Sequence, residues 1–279
     1  MADHPQEQAP QAPQAGPAGH EQHAGPHHPT DYSSYLLIDD LLRLQQPLSE
    51  GAEDEMLFIV VHQAYELWFK LILHELTGAR DALMNSKPAA ATRRLRRAVL
   101  VEELLLEQLK VLETMSPESF YEFRDPLAPA SGFQSLQFRE IEALSGGVGP
   151  SPGAVNVHDD DAQAQLARRA GEPTLWDATV TTLTQAGELK DTSAEGILET
   201  VATIYRDHAD PERAWLHDLF ERLVDHDEAV ARWRHHHMLM AAREIGRRPG
   251  TGGSLGVEYL QRTLDKRFFP ILWEVRSRL

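Results

Sequence analysis

The run Met56-Leu57-Phe58-Ile59-Val60-Val61-His62-Gln63-Ala64-Tyr65-Glu66-Leu67-Trp68-Phe69-Lys70 is apolar nearly all the way round for two helical turns. Such a helix belongs in the centre of a fold rather than on its surface. Phe58 and His62 lie four apart and project from one face, with Glu66 one turn further on. An imidazole there is either buried beside a polar partner or lines a cavity. Glu50, Glu53, Asp54 and Glu55 suit the positive end of this helix, which is expected from about 52 to 84, where Asn85-Ser86-Lys87-Pro88 breaks it.

Outward from this element the pattern stays helical. Pro88 opens a second long helix expected to end near Met115, and a short turn of helix around 118–123 leads into Asp125-Pro126 and Pro129. Another helix is expected from Phe133 to Gly146-Gly147, then a mobile Gly-, Pro- and Asp-rich connection over 146–160. Helices resume from about 161, the longest running from Pro211 to Ile245 before the loop Arg247 to Gly253, and a pair near 254–264 and 270–278 closes the chain. Val, Ile and Thr never form alternating strand-like runs, so the expected fold is an all-α helical bundle. Residues 1–29 are rich in Pro, Gln, Ala, Gly and His, with almost no large apolar residue, and read as a disordered tail. Residues 30–279 read as one helical domain, because no linker divides them and no repeat recurs. The tail histidines His4, His20, His23, His27 and His28 are irregularly spaced and broken by prolines, as in a solvated segment.

A chain of 279 residues, 42% of them hydrophobic, is long enough to bury a substantial core. A net charge of -16 with no basic block excludes phosphate-backbone recognition and favours a neutral or zwitterionic small molecule over nucleic acid. The absence of cysteine removes disulfides, zinc–thiolate sites, iron–sulfur clusters and thiolate-ligated haem, leaving His, carboxylate, Met or Tyr to hold any metal. The N-terminus lacks a secretory pattern and no later apolar stretch reads as membrane-spanning, so a cytoplasmic protein with no membrane partner is expected.

Three further blocks carry candidate chemistry. In Phe120-Tyr121-Glu122-Phe123-Arg124 an aromatic ring and a guanidinium stand four apart, and an arginine fork can hold a carboxylate through two parallel bonds. Taken alone, Arg124 reads equally as an ordinary surface ion pair, and Ser131-Gly132 before a helical run reads as an N-cap. In His235-His236-His237 the three imidazoles point in three directions. Val230, Trp233, His237 and Met240 follow a three-four-three spacing that puts His237 on the apolar seam, with His235 pointing away and His236 a lesser candidate. Gly250-Thr251-Gly252-Gly253-Ser254-Leu255-Gly256 lacks the lysine of a phosphate loop, the dinucleotide-binding glycine spacing and a preceding strand, which leaves a flexible loop whose backbone can approach a ligand closely.

Read together, Asp54 to Lys70, Phe120 to Arg139, and Trp233-Arg234-x-x-His237 with Arg243-x-Ile245-Gly246 and Gly250 to Ser254 resemble the three signatures of the tryptophan 2,3-dioxygenase family, in the family's order. The likeness runs from Tyr35 to Phe268-Phe269-Pro270-x-Leu272-Trp273-Glu274, and residues 145–210 carry none of it. The resemblance implies a haem b enzyme that uses O2 to cleave the indole C2–C3 bond of L-tryptophan, giving N-formyl-L-kynurenine. By the same resemblance His237 is the iron ligand, and His62, facing the opposite side of the haem, bonds the indole N–H. Phe58 and Phe120 wall the ring, Arg124 grips the carboxylate, Thr251 contacts the ammonium and carboxylate, and Ser131-Gly132 borders the cofactor and oxygen site. Phe120 stands where some members carry Tyr, and Leu255 where many carry a small residue. A homotetramer is also implied, with Tyr32, Tyr35 and Leu36 reaching a neighbour's site. Two other readings remain: a related haem oxygenase of another indole, and a non-catalytic helical interaction module.

Overall fold

The computed structural model describes residues 31–146 and 160–279. The tail histidines and most of the 146–160 connection lie outside them. Among the described residues there is no β-strand, as the sequence pattern requires.

A short N-terminal unit, up to Leu44, carries α1 (Tyr32–Leu36) and α2 (Ile38–Leu41). Asp31 caps α1 by accepting the Ser34 N–H at 2.8 Å, and the Ser34 hydroxyl accepts the Asp31 N–H in return. Leu37 at φ 51° breaks the two helices apart. Neither α1 nor α2 buries a side chain, and Tyr32 and Tyr35 are about three-quarters exposed (75% and 74%).

The second unit runs from Gln45 and is built on α3 (Asp54–Met84) and α4 (Pro88–Leu112). These antiparallel neighbours, joined by the turn at Asn85-Ser86-Lys87, pack along their lengths through Ile72, Leu76, Ala79 and Leu83 against Ala91, Leu95 and Ala98. Glu75 is buried among them because Arg94 and Arg97 each reach one of its carboxylate oxygens, at 3.0 and 2.7 Å. α5 (Pro117–Leu127) follows, capped by Ser116, then a 3-10 turn (Gly132–Gln134) and α6 (Leu136–Ser145). Beyond the connection come α7 (Asp160–Ala170), α8 (Leu175–Gln185) and α9 (Ala194–Arg206). The 32-residue α10 (Ala214–Ile245) then lies along α4, burying Leu216, Leu219, Phe220 and Leu223. α11 (Val257–Gln261), α12 (Pro270–Glu274) and a final 3-10 turn (Val275–Arg278) complete the unit.

Three expectations about α3 and α6 need correction. The opening of α3 is amphipathic rather than buried all round, since Met56, Val60 and Leu67 are exposed while Val61, Tyr65 and Phe69 are buried. By length and composition α3 would also pass as a membrane span, contrary to the expectation that no stretch reaches that length. Its buried Glu75 pairs and its packing on α4, α6 and α8 make it the central helix of a folded core. Finally, the helix expected from Phe133 begins at Leu136, because Ser131 and Ser135 each cap a separate element and split the segment.

Candidate active site

Two cavities adjoin in the second unit, sharing His62 of α3 and His237 of α10 as lining. The larger, of about 270 Å³, is walled mainly by apolar side chains including Tyr65, Phe69, Phe138 and Trp233. The smaller, of about 150 Å³, adds Phe58, Phe120, Arg124, Glu244 and Thr251. Residues separated by nearly two hundred positions meet here because α3 and α10 both pack on α4.

His62 lies one turn after Phe58, and its Nδ1 is 2.7 Å from the Phe58 carbonyl oxygen. A carbonyl only accepts, so Nδ1 carries the proton and the neutral ring keeps Nε2 as an acceptor. Burial lowers the pKa of His62 below the ordinary histidine value, against smaller opposing effects of the Phe58 carbonyl and Glu66. The Phe58 ring lies 4.0 Å from the imidazole and extends through Phe120 and Phe123, at 6.0 and 5.5 Å, into an aromatic wall.

Of the three consecutive histidines, only His237 lines these cavities. His236 turns to α4 and meets Glu113 at 3.0 Å, and His235 faces an open groove on that side. His237 stacks on Trp233, with centroids 5.1 Å apart and planes 11° from parallel. Trp233 Nε1 donates to the Tyr65 hydroxyl at 3.5 Å, which donates to the Leu105 carbonyl at 2.6 Å. The imidazole of His237 itself makes no hydrogen bond among the described residues. Burial, reinforced by neighbouring His62, pushes its pKa down to about 4, so it stands neutral with a nitrogen lone pair at physiological pH.

Arg124 donates to the Pro249 carbonyl at 2.7 Å, while its Nε is buried with no partner. Thr251 donates to the Ala130 carbonyl at 2.6 Å, which ties the glycine-rich loop to the Ser131 corner. A Cβ on Gly252 would come within 2.5 Å of the Ser131 Cβ, so the loop closes this tightly only with glycine there. Ser131 caps the 3-10 turn and abuts Gly252 without lining either cavity, whereas Gly132 lines the larger one. Phe58, His62, Phe120, Arg124 and Thr251 thus converge on the smaller cavity, with His237 at the boundary. Tyr32, Tyr35 and Leu36 belong to the N-terminal unit and are exposed there.

The sequence patterns gave no role to Arg139, Arg234 and Glu142, all bordering the larger cavity. Both guanidinium groups bond the one carboxylate of Glu142, and Arg139 Nε is buried without a partner. An apolar chamber with one neutral, unbonded imidazole and an arginine pair at its edge would suit a flat apolar group that takes a nitrogen ligand and carries carboxylates. Spacing could not reveal this, since the arginines lie on different helices and their shared acid appears only after folding.

The family profile described as tryptophan 2,3-dioxygenase matches residues 17–197 and 189–279. The chain is 43% identical over 258 residues to a protein of Nocardioides sp. (strain ATCC BAA-499 / JS614) named tryptophan 2,3-dioxygenase, covering 89% of this chain and 94% of that one. A protein of the same name from Herpetosiphon aurantiacus is 42% identical over 265 residues, covering 89% and 98%, and one from Bacillus anthracis is 40% identical over 258 residues, covering 89% and 92%. The profile spans the helices that bring His62, Arg124, His237 and Thr251 together, the relatives cover most of the chain, and the chain belongs to the tryptophan 2,3-dioxygenase family.

Proposed function

We propose that the chain is a haem-dependent dioxygenase that inserts both atoms of O2 across the indole C2–C3 bond of L-tryptophan, yielding N-formyl-L-kynurenine. The observation that carries this reading is the pair of neutral imidazoles, on α3 and α10, bordering an apolar chamber beside a pocket with an arginine whose Nε is buried and unpartnered. His237 would hold haem b through a ring nitrogen, with the carboxylate edge met by Arg139 and Arg234, and Gly132 leaving room at the chamber wall. The haem, when bound, supplies the iron at which O2 becomes reactive towards indole.

The remaining steps are positioning. The indole N–H donates to Nε2 of His62, whose own Nδ1–H is fixed on the Phe58 carbonyl. This bond orients the ring without removing its proton, because an indole N–H is too weak an acid for an imidazole to deprotonate at low cost. Phe58 and Phe120 wall the ring, Arg124 offers Nε and a terminal nitrogen to the carboxylate, and Thr251 holds the amino-acid end beneath the glycine loop. Excluding water and fixing C2 and C3 in one orientation contribute much of the rate.

The family resemblance extends the proposal to a cytoplasmic homotetramer in which Tyr32, Tyr35 and Leu36 border a neighbouring protomer's site. Exposed Leu100, Leu104 and Val111 on α4 supply apolar surface of the kind subunit contacts cover. The test is anaerobic reduction of haem-loaded protein followed by L-tryptophan and O2. N-formylkynurenine absorbance should grow with L-tryptophan and much less with free indole, which Arg124 cannot grip. Equal turnover of both would replace this reading with that of a general indole oxygenase, and a colourless protein that never takes up haem would leave the helical scaffold alone.

A further inference from the structure

Tyr121 stands three residues before Arg124 on α5, so the two side chains share a face of that helix. The Arg124 guanidinium lies over the Tyr121 ring, 5.6 Å from its centroid, and the guanidinium of Arg248, from the loop after α10, lies over the same ring at 4.5 Å. Neither arginine makes a salt bridge among the described residues, and the Tyr121 hydroxyl makes no hydrogen bond among them. The contact is therefore between two cations and the electron-rich face of one ring.

Arg248 is the root of the glycine-rich loop. Its N–H donates to the Ile245 carbonyl at 3.1 Å, which fixes it to the end of α10. The far end of the loop returns to the same residue: Gly256, at φ 58°, sits so close to the Arg248 carbonyl that a Cβ would lie 2.5 Å from the oxygen. The next residue, Pro249, accepts from Arg124 at 2.7 Å, and Gly250 and Thr251 then line the smaller cavity. One ring thus touches both the guanidinium that points into this cavity's wall and the residue from which its covering loop springs. We infer that Tyr121 is a positioning residue, whose ring fixes Arg124 and, through Arg248, holds the loop in place before an amino acid arrives. This rests on the amino-acid reading above and adds to it the residue that preorganises the carboxylate grip. Without the ring, the incoming ligand must order Arg124 and the loop itself, and affinity falls by the fraction of chains not already arranged.

The test pairs two measurements on haem-loaded protein for the parent chain, Tyr121→Leu, Tyr121→Phe, Arg248→Met and the Leu/Met double variant. The first is hydrogen exchange of the Gly250 and Gly253 amides without amino acid, since their bonds to the Ser254 and Gly250 carbonyls report whether the loop is closed. The second is anaerobic equilibrium binding of L-tryptophan and of free indole. Tyr121→Leu should speed this exchange and weaken L-tryptophan by about 5-fold, the worth of a partly exposed cation–π contact, while indole changes by less than about 2-fold. Tyr121→Phe, which keeps the ring, should match the parent in both. Arg248→Met alters only an exposed side chain, so it should fold, speed exchange likewise and add little to Tyr121→Leu in the double variant. Unchanged exchange in Tyr121→Leu and Arg248→Met, equal weakening of both ligands, or a loss in Tyr121→Phe as large as in Tyr121→Leu overturns the inference. Failure of the parent to bind L-tryptophan removes the amino-acid reading and the carboxylate role with it, and exchange alone then decides whether the ring holds the loop.

Discussion

His62 and His237 occupy similar surroundings and differ in what their nitrogens meet. Nδ1 of His62 is committed to the Phe58 carbonyl, whereas His237 is held only by stacking on Trp233. The first is a fixed acceptor and the second a free ligand, which predicts that His62→Ala retains the haem spectrum while kcat/KM for L-tryptophan falls about 10- to 100-fold, the worth of one well-placed hydrogen bond. Steady-state kinetics checks this, and unchanged kcat/KM would remove His62 from indole recognition. His237 was legible in the sequence because Val230, Trp233 and Met240 marked its helix face. Phe58 and His62 were legible because they stand four positions apart, on one helix face. Glu244 and Arg139 were not, since a charged residue on a helix looks solvated until folding buries it, here leaving Glu244 Oε2 and Arg139 Nε without partners. Ser131 was legible as a cap and, in the structure, caps without touching either cavity.

Among the elements, the limits of α3 and α4 were readable from the acidic start at Asp54 and the break before Pro88. α5 was read too short, because Asp125-Pro126 looks like a stop. Near a C-terminus, Pro126 forfeits only one backbone bond, and the helix continues to Leu127. The tie between α10 and the chain end was invisible beforehand. Oδ2 of buried Asp227 accepts the backbone N–H groups of Phe268 and Phe269 and Trp273 Nε1, at 3.0, 3.1 and 2.9 Å. Asp227→Ala strands three donors and should destabilise the protein by about 3 kcal/mol, as charge-assisted hydrogen bonds and their desolvation imply. A denaturant titration with an unchanged midpoint would show that α12 is held by apolar packing alone.

For the whole molecule the cavity-lining imidazoles His62 and His237 set a pH dependence. Above about pH 6.5, the unfolded histidine value, His62 and His237 are neutral in both states and do not affect stability. As pH falls below it the unfolded chain takes up protons that the folded haem-free chain refuses until about pH 4 at His237, so stability drops across that window. His237 contributes a loss of up to about 3 kcal/mol, and His62, also lowered, adds in the same direction. Melting of the haem-free protein at successive pH values should show the decline, and His237→Phe should flatten it. A decline of equal steepness in that variant would assign the acid sensitivity to other groups.

All-helical character was legible across the chain because no strand-like alternation occurs anywhere. Which helices share a core was not, since pairing across long separations leaves no local mark. The central claim is that α3 and α10 seat a haem between them on one named nitrogen, and the most direct test is the Soret spectrum of purified His237→Ala beside His236→Ala. The account predicts that His237→Ala loses the haem or its normal band while His236→Ala, which faces Glu113 outside the cavities, keeps it. A normal band in His237→Ala that disappears in His236→Ala would contradict it.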